Sequence, residues 1–335
     1  MDYSPPFTIS SAAISMIAEI SALVERYVIR LEQADGLRLR RVNRIRTIRS
    51  SLAIEGNALT EKQVTDILDG KRIVAPLREI QEAKNAIAAY DMAAALNPFS
   101  LKDLLKAHGV MTTALINEPG RFRTGNIGVV SGMQVIHQAP PPALVPKLMQ
   151  DLFGWLKRSQ DHLLLRSCVF HYEFEFIHPF TDGNGRMGRL WQSLLLSRLH
   201  PAFRHLPVET MVHDNQDQYY AAIKDSTTKA DCEPFVDFML GVILHSLKAQ
   251  KTAGINHHDA MNGAANGAAN GAVNGAAKSV LEYIIQHPGV RTNLIAVNLR
   301  LPIRSVQRYL QQLRNQGRIE FRGAPKNGGY HAKSL

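Results

Sequence analysis

A chain of 335 residues with 45% hydrophobic and 20% charged residues carries enough apolar material for about two domains with proper cores. No uninterrupted apolar run approaches the roughly 20 residues that span a bilayer, and MDYSPPFTIS lacks the basic and apolar regions of a signal peptide, so a cytoplasmic protein without membrane contact is expected. The net charge of +10 is uneven: from Lys278 onward ten Lys and Arg face only Glu282 and Glu320, whereas the preceding residues hold 29 basic against 27 acidic side chains. Cys168 and Cys232 have neither disulfide nor zinc-ligand spacing and read as buried thiols.

In chain order, residues 1–75 read as a helical region. SAAISMIAEISALVERYVIRLEQ (11–33) places apolar residues three and four apart, the period of an amphipathic helix. Arg38, Arg40, Arg41, Arg44, Arg46 and Arg49 follow at helical spacing and read as a solvated face. A helix over about 42–56 is ended by Gly56, and Thr60 with Gln63 forms a capping box for the next.

Further helices are predicted over 78–96, 141–159 and 188–200. Asn126 to His137 is the one convincing strand region of the body, with β-branched residues on both sides of a Ser-Gly turn, and Pro140 to Pro142 close it.

Beyond the body, residues 251–277 contain NGAANGAANGAVNGAA and read as a flexible Asn/Gly/Ala linker. Residues 278–335 resemble a winged helix-turn-helix. Val306, Leu310 and Leu313 form the buried stripe of its last helix, and Arg304, Gln307 and Arg308 face outward. Lys326 lies near the tip of a glycine-rich wing. The excess of positive charge here makes DNA the expected partner of this module.

The stretch IHPFTDGNGRMGRLW (177–191) contains G-x-G-x-x-G at Gly183, Gly185 and Gly188, with Glu209 about twenty residues on. A dinucleotide-binding turn is nevertheless disfavoured. VFHYEFEFI fits a helix, no further alternating strand and helix units follow, and His178 to Asp182 interrupt the place where a strand should meet its turn.

Read as chemistry, the loop offers another set of parts. Gly183 and Gly185 let backbone approach a ligand, and a helix starting near Asn184 to Arg186 presents free N–H groups to an anion. Arg186 and Arg189, three apart, can both reach phosphate oxygens. Asp182 is a hard oxygen ligand suited to Mg²⁺ beside a phosphate, and His178 titrates near neutrality, as a general base for a hydroxyl requires.

HPFTDGNGRMGR, His178 to Arg189, matches every fixed position of the Fic motif H-x-F-x-(D/E)-G-N-G-R-x-x-R, and the chain resembles the Fic family over roughly Pro76 to Ser246. The resemblance implies a mainly α fold, a Fic helical bundle at 76–250 with a β-hairpin flap. It also implies transfer of AMP from ATP to a Ser, Thr or Tyr hydroxyl of a protein target or of the chain itself.

By the same resemblance His178 is the base and Asp182 the Mg²⁺ ligand. Gly183, Asn184, Gly185 and Arg186 hold the phosphates, and Arg189 meets the γ-phosphate. Phe180 anchors the loop. Val129, Val130, Val135 and Ile136 of the flap would pair with an extended target segment. SLAIEGN, Ser51 to Asn57, fits the inhibitory pattern (S/T)-x-x-x-E-(G/N), in which Glu55 would pair with Arg189.

Alternatives stay open within the family's chemistry: transfer of UMP, phosphocholine or phosphate, or removal of AMP. A different class is a DNA-binding transcriptional regulator that uses the Fic body as a sensor, although an intact His178 argues against an inert body. A homodimer is compatible with the sequence.

Overall fold

The computed structural model describes residues 3–32, 36–131, 134–252, 275–299, 306, 309–311, 313–314, 317–322 and 329–333. The chain divides into two compact units, Met1–Asp259 and Ala260–Leu335. Most of the linker therefore lies outside the described residues, as do Arg304, Gln307, Arg308 and Lys326.

The larger unit is helical, as expected. Helices α1 (Ser11–Leu31), α2 (Gly36–Ile54), α3 (Glu61–Leu68), α4 (Leu77–Met92) and α5 (Leu101–Met111) precede a hairpin of β1 (Gly128–Ser131) and β2 (Gln134–Gln138). Then come α6 (Val145–Arg158), α7 (Leu163–Ile177), α8 (Asn184–Leu199), a 3-10 turn (Pro201–His205), α9 (Val208–Asp214), α10 (Gln216–Lys229) and α11 (Glu233–Thr252). The Thr60 hydroxyl accepts from the Gln63 N–H while the Gln63 side chain accepts from the Thr60 N–H, so the expected capping box starts α3.

Helix α7 explains why VFHYEFEFI does not run as a strand. It is buried along almost its whole length and packs against α6, α8 and α11, so it is apolar nearly all round, as a central helix must be. Phe170 and Phe174 are fully buried, Phe170 meets the Phe153 ring of α6 edge-on at 5.4 Å, and the Trp191 indole N–H of α8 donates to Pro98 O at 2.9 Å. The α7–α8 pair carries the glycine motif at its connection, so the loop rests on the most deeply packed part of the unit.

The hairpin is antiparallel, pairing Gly128 with Gln138 and Ser131 with Gln134, with a bulge between Val129 and Val130. It forms a sheet of two strands, which leaves each strand one edge unpaired within that sheet.

The smaller unit has α12 (Gly275–Gln286), α13 (Thr292–Asn298), helical residues among Val306–Arg314, and an antiparallel hairpin of β3 (Ile319–Arg322) and β4 (Gly329–Ala332). Val306, Leu310 and Leu313 are buried together with Val280, Ile284 and Ile295, so the predicted stripe does face a core. Among the described residues no helix is long and apolar enough to cross a membrane.

Candidate active site

The end of α7 and the start of α8 build the site. His178 caps α7 in the left-handed region, φ 49°, which for a non-glycine residue costs about 1–3 kcal/mol. Arg123 holds that turn. Its guanidinium donates to His178 O at 2.8 Å, Ile177 O at 3.3 Å, Gly125 O at 2.9 Å and Pro140 O at 2.5 Å, and its backbone N–H donates to Pro179 O at 3.0 Å. One buried fork thus ties the motif to both ends of the flap.

The His178 ring has Nδ1 3.3 Å from Glu175 O, and a carbonyl only accepts. Nδ1 therefore carries the proton and the neutral ring keeps its lone pair on Nε2, the form a base needs.

Gly183 is the N-cap of α8 with φ 86°, and a Cβ there would lie 3.0 Å from Thr112 Cγ2. Asn184 departs from its expected role: its side chain accepts from Phe180 N–H at 2.9 Å and donates to Phe180 O at 2.8 Å. It ties the loop to itself, leaving the cradle to backbone. Phe180 is fully buried and stacks on His108 at 3.6 Å, the anchor expected.

His108 donates from Nε2 to Asp182 O at 3.0 Å and accepts at Nδ1 from Gly120 N–H at 2.9 Å. Burial, with Arg186 adding to it, lowers this imidazole to about 4, which keeps it neutral and its two bonds in place.

Charge converges on the N-terminus of α8. Arg186 donates to Asp182 Oδ1 at 3.0 Å, and its Nε is buried without a hydrogen-bond partner, a donor left over for an anion. Asp182 is about one-third exposed and also faces Arg78 at 3.4 Å. No group of three or more His, Cys, Asp or Glu side chains among the described residues could hold a metal. A single carboxylate, one-third exposed and beside a helix N-terminus suited to an anion, does fit Mg²⁺, which takes one or two protein ligands and fills its shell with phosphate oxygens and water.

Arg189 is where the distant helix arrives. It is buried, and it donates to Ser51 Oγ at 3.3 Å, Ser51 O at 3.0 Å and Glu55 Oε1 at 2.7 Å. Burial opposes its charge, but Glu55, through its charge and its hydrogen bond, chiefly outweighs that and holds the guanidinium above its ordinary value. Helix α2 ends at Ile54, so Glu55 sits one residue beyond it and still reaches Arg189. A Cβ on Gly185 would collide with Glu55 Oε1 and approach Arg189 Nη1 to 2.9 Å. The Glu55 carboxylate therefore lies against the glycine backbone of the cradle.

Behind the loop lies a buried network that sequence reasoning missed. Glu175 Oε2 is 3.8 Å from His178 Nδ1, Oε1 is 3.8 Å from His171 Nε2, and Oε1 has no hydrogen-bond partner. His171 bonds Gln192 at 2.7 Å and Tyr219 at 3.1 Å and is lowered to about 3 by burial. Neither Glu175 nor Arg123 belongs to a recognisable local motif; the only signal was a pair of carboxylates, Glu173 and Glu175, among the aromatic residues of a buried helix.

A model of the Fic/DOC family matches residues 98–196. The chain is 39% identical to a Fic family protein from Desulfovibrio desulfuricans G20 of known crystal structure, covering 99% of each chain with a TM-score of 0.72. This chain belongs to the Fic family. It is also 30% identical over 203 residues to protein adenylyltransferase fic-1 of Caenorhabditis elegans, covering 56% of this chain and 37% of that protein. Likeness to protein adenylyltransferase Fic of Drosophila mojavensis is 32% over 201 residues, covering 56% and 38%. The chain thus spans less than two fifths of the length of these curated relatives. The Fic fold and motif accordingly replace the dinucleotide-binding alternative.

Burial pushes the Glu175 carboxyl up to about 8, with Arg189 opposing and Glu55 reinforcing. The folded state favours the protonated carboxyl, so its contribution is complete below the pH at which an unfolded Glu ionises and is lost as pH rises through about 8. Glu175→Gln cannot ionise. Its stability relative to the parent should rise by more than about 1 kcal/mol between pH 5 and pH 8 in urea unfolding, and a difference independent of pH would refute this assignment.

Proposed function

We propose that this chain is a protein adenylyltransferase of the Fic type, moving AMP from ATP to a Ser, Thr or Tyr hydroxyl, and that Glu55 restrains it. The observation that carries the proposal is the Glu55 carboxylate bonded to Arg189 and lying against Gly185, inside the cradle that the triphosphate would need. The names of the curated relatives agree with this activity.

In this reading the backbone N–H groups at the start of α8 and the Arg186 guanidinium receive the phosphates. His178 Nε2 takes the proton from the target hydroxyl, whose oxygen attacks the α-phosphorus while the bond to the bridging oxygen breaks and pyrophosphate leaves. Asp182 would hold Mg²⁺, which supplies neutralisation of phosphate charge. The open edges of β1 and β2 would hold an extended target segment through main-chain bonds, with little demand on its side chains.

Glu55 blocks this sequence by occupying Arg189. Its side chain is 37% exposed, whereas that of Arg189 is 3% exposed, so the pair sits at the mouth of the site with its cation on the inner side. Replacing Glu55 with Gly should raise incorporation of label from α-³²P-ATP by about 10-fold or more, the scale of one lost charge-assisted bond. His178→Ala in the same background should abolish it. Equal labelling by Glu55→Gly and the parent would remove the brake from the account.

For the smaller unit we propose DNA binding in the manner of a winged helix, because its helices and hairpin surround one apolar core and its sequence is strongly basic. Affinity for duplex DNA should fall steeply between 50 and 200 mM salt, by about 10³-fold for six phosphate contacts. Binding indifferent to salt would exclude this reading.

A further inference from the structure

A second cavity lies along α2 at Arg40 to Thr47, N-terminal to Ser51. Its volume is about 430 Å³, within the roughly 300–1,000 Å³ range of small-molecule sites, and α2, α4, α8 and the 3-10 turn provide most of its wall. Arg40, Arg41, Arg44 and Arg204 stand around it, over a floor that includes Leu190 and Leu194. Arg40, Arg41 and Arg44 read from sequence as part of a solvated face; Arg41 is exposed there, and all three also line this cavity.

The charges there are only partly answered. Arg41 pairs with Asp69 and Arg44 with Asp91, but among the described residues neither Arg40 nor Arg204 has a carboxylate partner. Arg40 donates to Leu31 O at 3.2 Å, and its Nε is buried without a hydrogen-bond partner. His205, also on the wall, is held below its ordinary value by burial and then by the charges of Arg40 and Arg204. The buried carboxyl of Glu209, which accepts from the lining residues Tyr90 at 3.0 Å and Ser193 at 3.1 Å, is pushed by burial toward its neutral form. The field in the cavity is therefore positive.

We propose that this cavity is a second, regulatory site for a small organic phosphate. Its dianionic head would meet Arg40 and Arg204, which have no carboxylate of their own, and its apolar or aromatic body would lie over Leu190 and Leu194. A phosphate suits two unpaired guanidinium groups better than a carboxylate, whose single charge would answer only one.

The site is coupled to the brake by a single helix face. Arg40, Arg44, Thr47, Ser51 and Glu55 follow one another at spacings of four, three, four and four. The first three line the cavity and the last two bind Arg189. The cavity exists only while α2 is docked on α4 and α8, so a ligand there selects the docked helix and tightens the hold of Glu55 on Arg189. The site stands on geometry alone; its regulatory meaning rests on the reading of Glu55 given above.

Calorimetry with phenyl phosphate tests both parts without requiring catalysis, so a chain inactive in AMP transfer would leave the result interpretable. The full chain should bind phenyl phosphate saturably, more tightly than inorganic phosphate, and Arg186→Ala should keep that binding because the motif loop is not the site. Arg40→Gln with Arg204→Gln should remove it. Arg204→Gln alone, an exposed change that spares the fold, should weaken it by about 10-fold.

By reciprocity, Glu55→Gly should weaken phenyl phosphate binding by about 5-fold, since it loosens the docked helix. Absence of saturable binding, or binding lost with Arg186→Ala but kept without Arg40 and Arg204, would overturn the site. Unchanged affinity in Glu55→Gly would overturn the coupling.

Discussion

The rest of the site is arranged around one ion pair. Arg189 is buried in a helix whose N-terminus is itself an anion receptor, so a guanidinium there requires a permanent negative partner. Glu55 supplies it at 2.7 Å, from the end of a helix 134 residues earlier in the chain. A triphosphate offers the same guanidinium another partner. In the proposed transfer, competition between an internal carboxylate and a substrate phosphate for one buried cation would be enough to hold the resting state inactive, without any large rearrangement.

That competition is meaningful only because the loop beneath it is rigid. Asn184 closes the turn on both backbone groups of Phe180, His108 pins Asp182 O, and Arg123 gathers carbonyls from the loop and the flap. None of these groups performs chemistry. They fix where His178, Asp182 and Arg186 stand, so that the proposed transfer of AMP would depend on alignment already built into the fold.

How much of this was legible follows from how far apart the partners are in sequence. His178 to Arg189 lie within twelve residues, and each residue type carries its own chemistry, so the cradle could be read directly. Ser51 and Glu55 were legible as a four-residue pattern, though only the packing of α2 shows that both reach Arg189. The helices were legible from periodicity and caps, Thr60 with Gln63 among them.

Arg123 and His108 were not legible, because their partners are fixed by tertiary contacts 55 and 74 positions away. Arg40 and Arg44 were legible as sharing a helix face, but helical spacing does not report the cavity that opens beside it. Asn184 was assigned to phosphate by the resemblance, whereas its amide is spent on the loop's own backbone.

The central claim is that Glu55 and the terminal phosphate of ATP compete for Arg189, and it is tested most directly by comparing ATP with ADP in binding calorimetry. The parent should bind the two with nearly equal affinity, because the γ-phosphate finds its cation taken, while Glu55→Gly should prefer ATP by about 10-fold, the value of one charge-assisted contact. The same ratio of ATP to ADP affinity in both proteins would contradict the account.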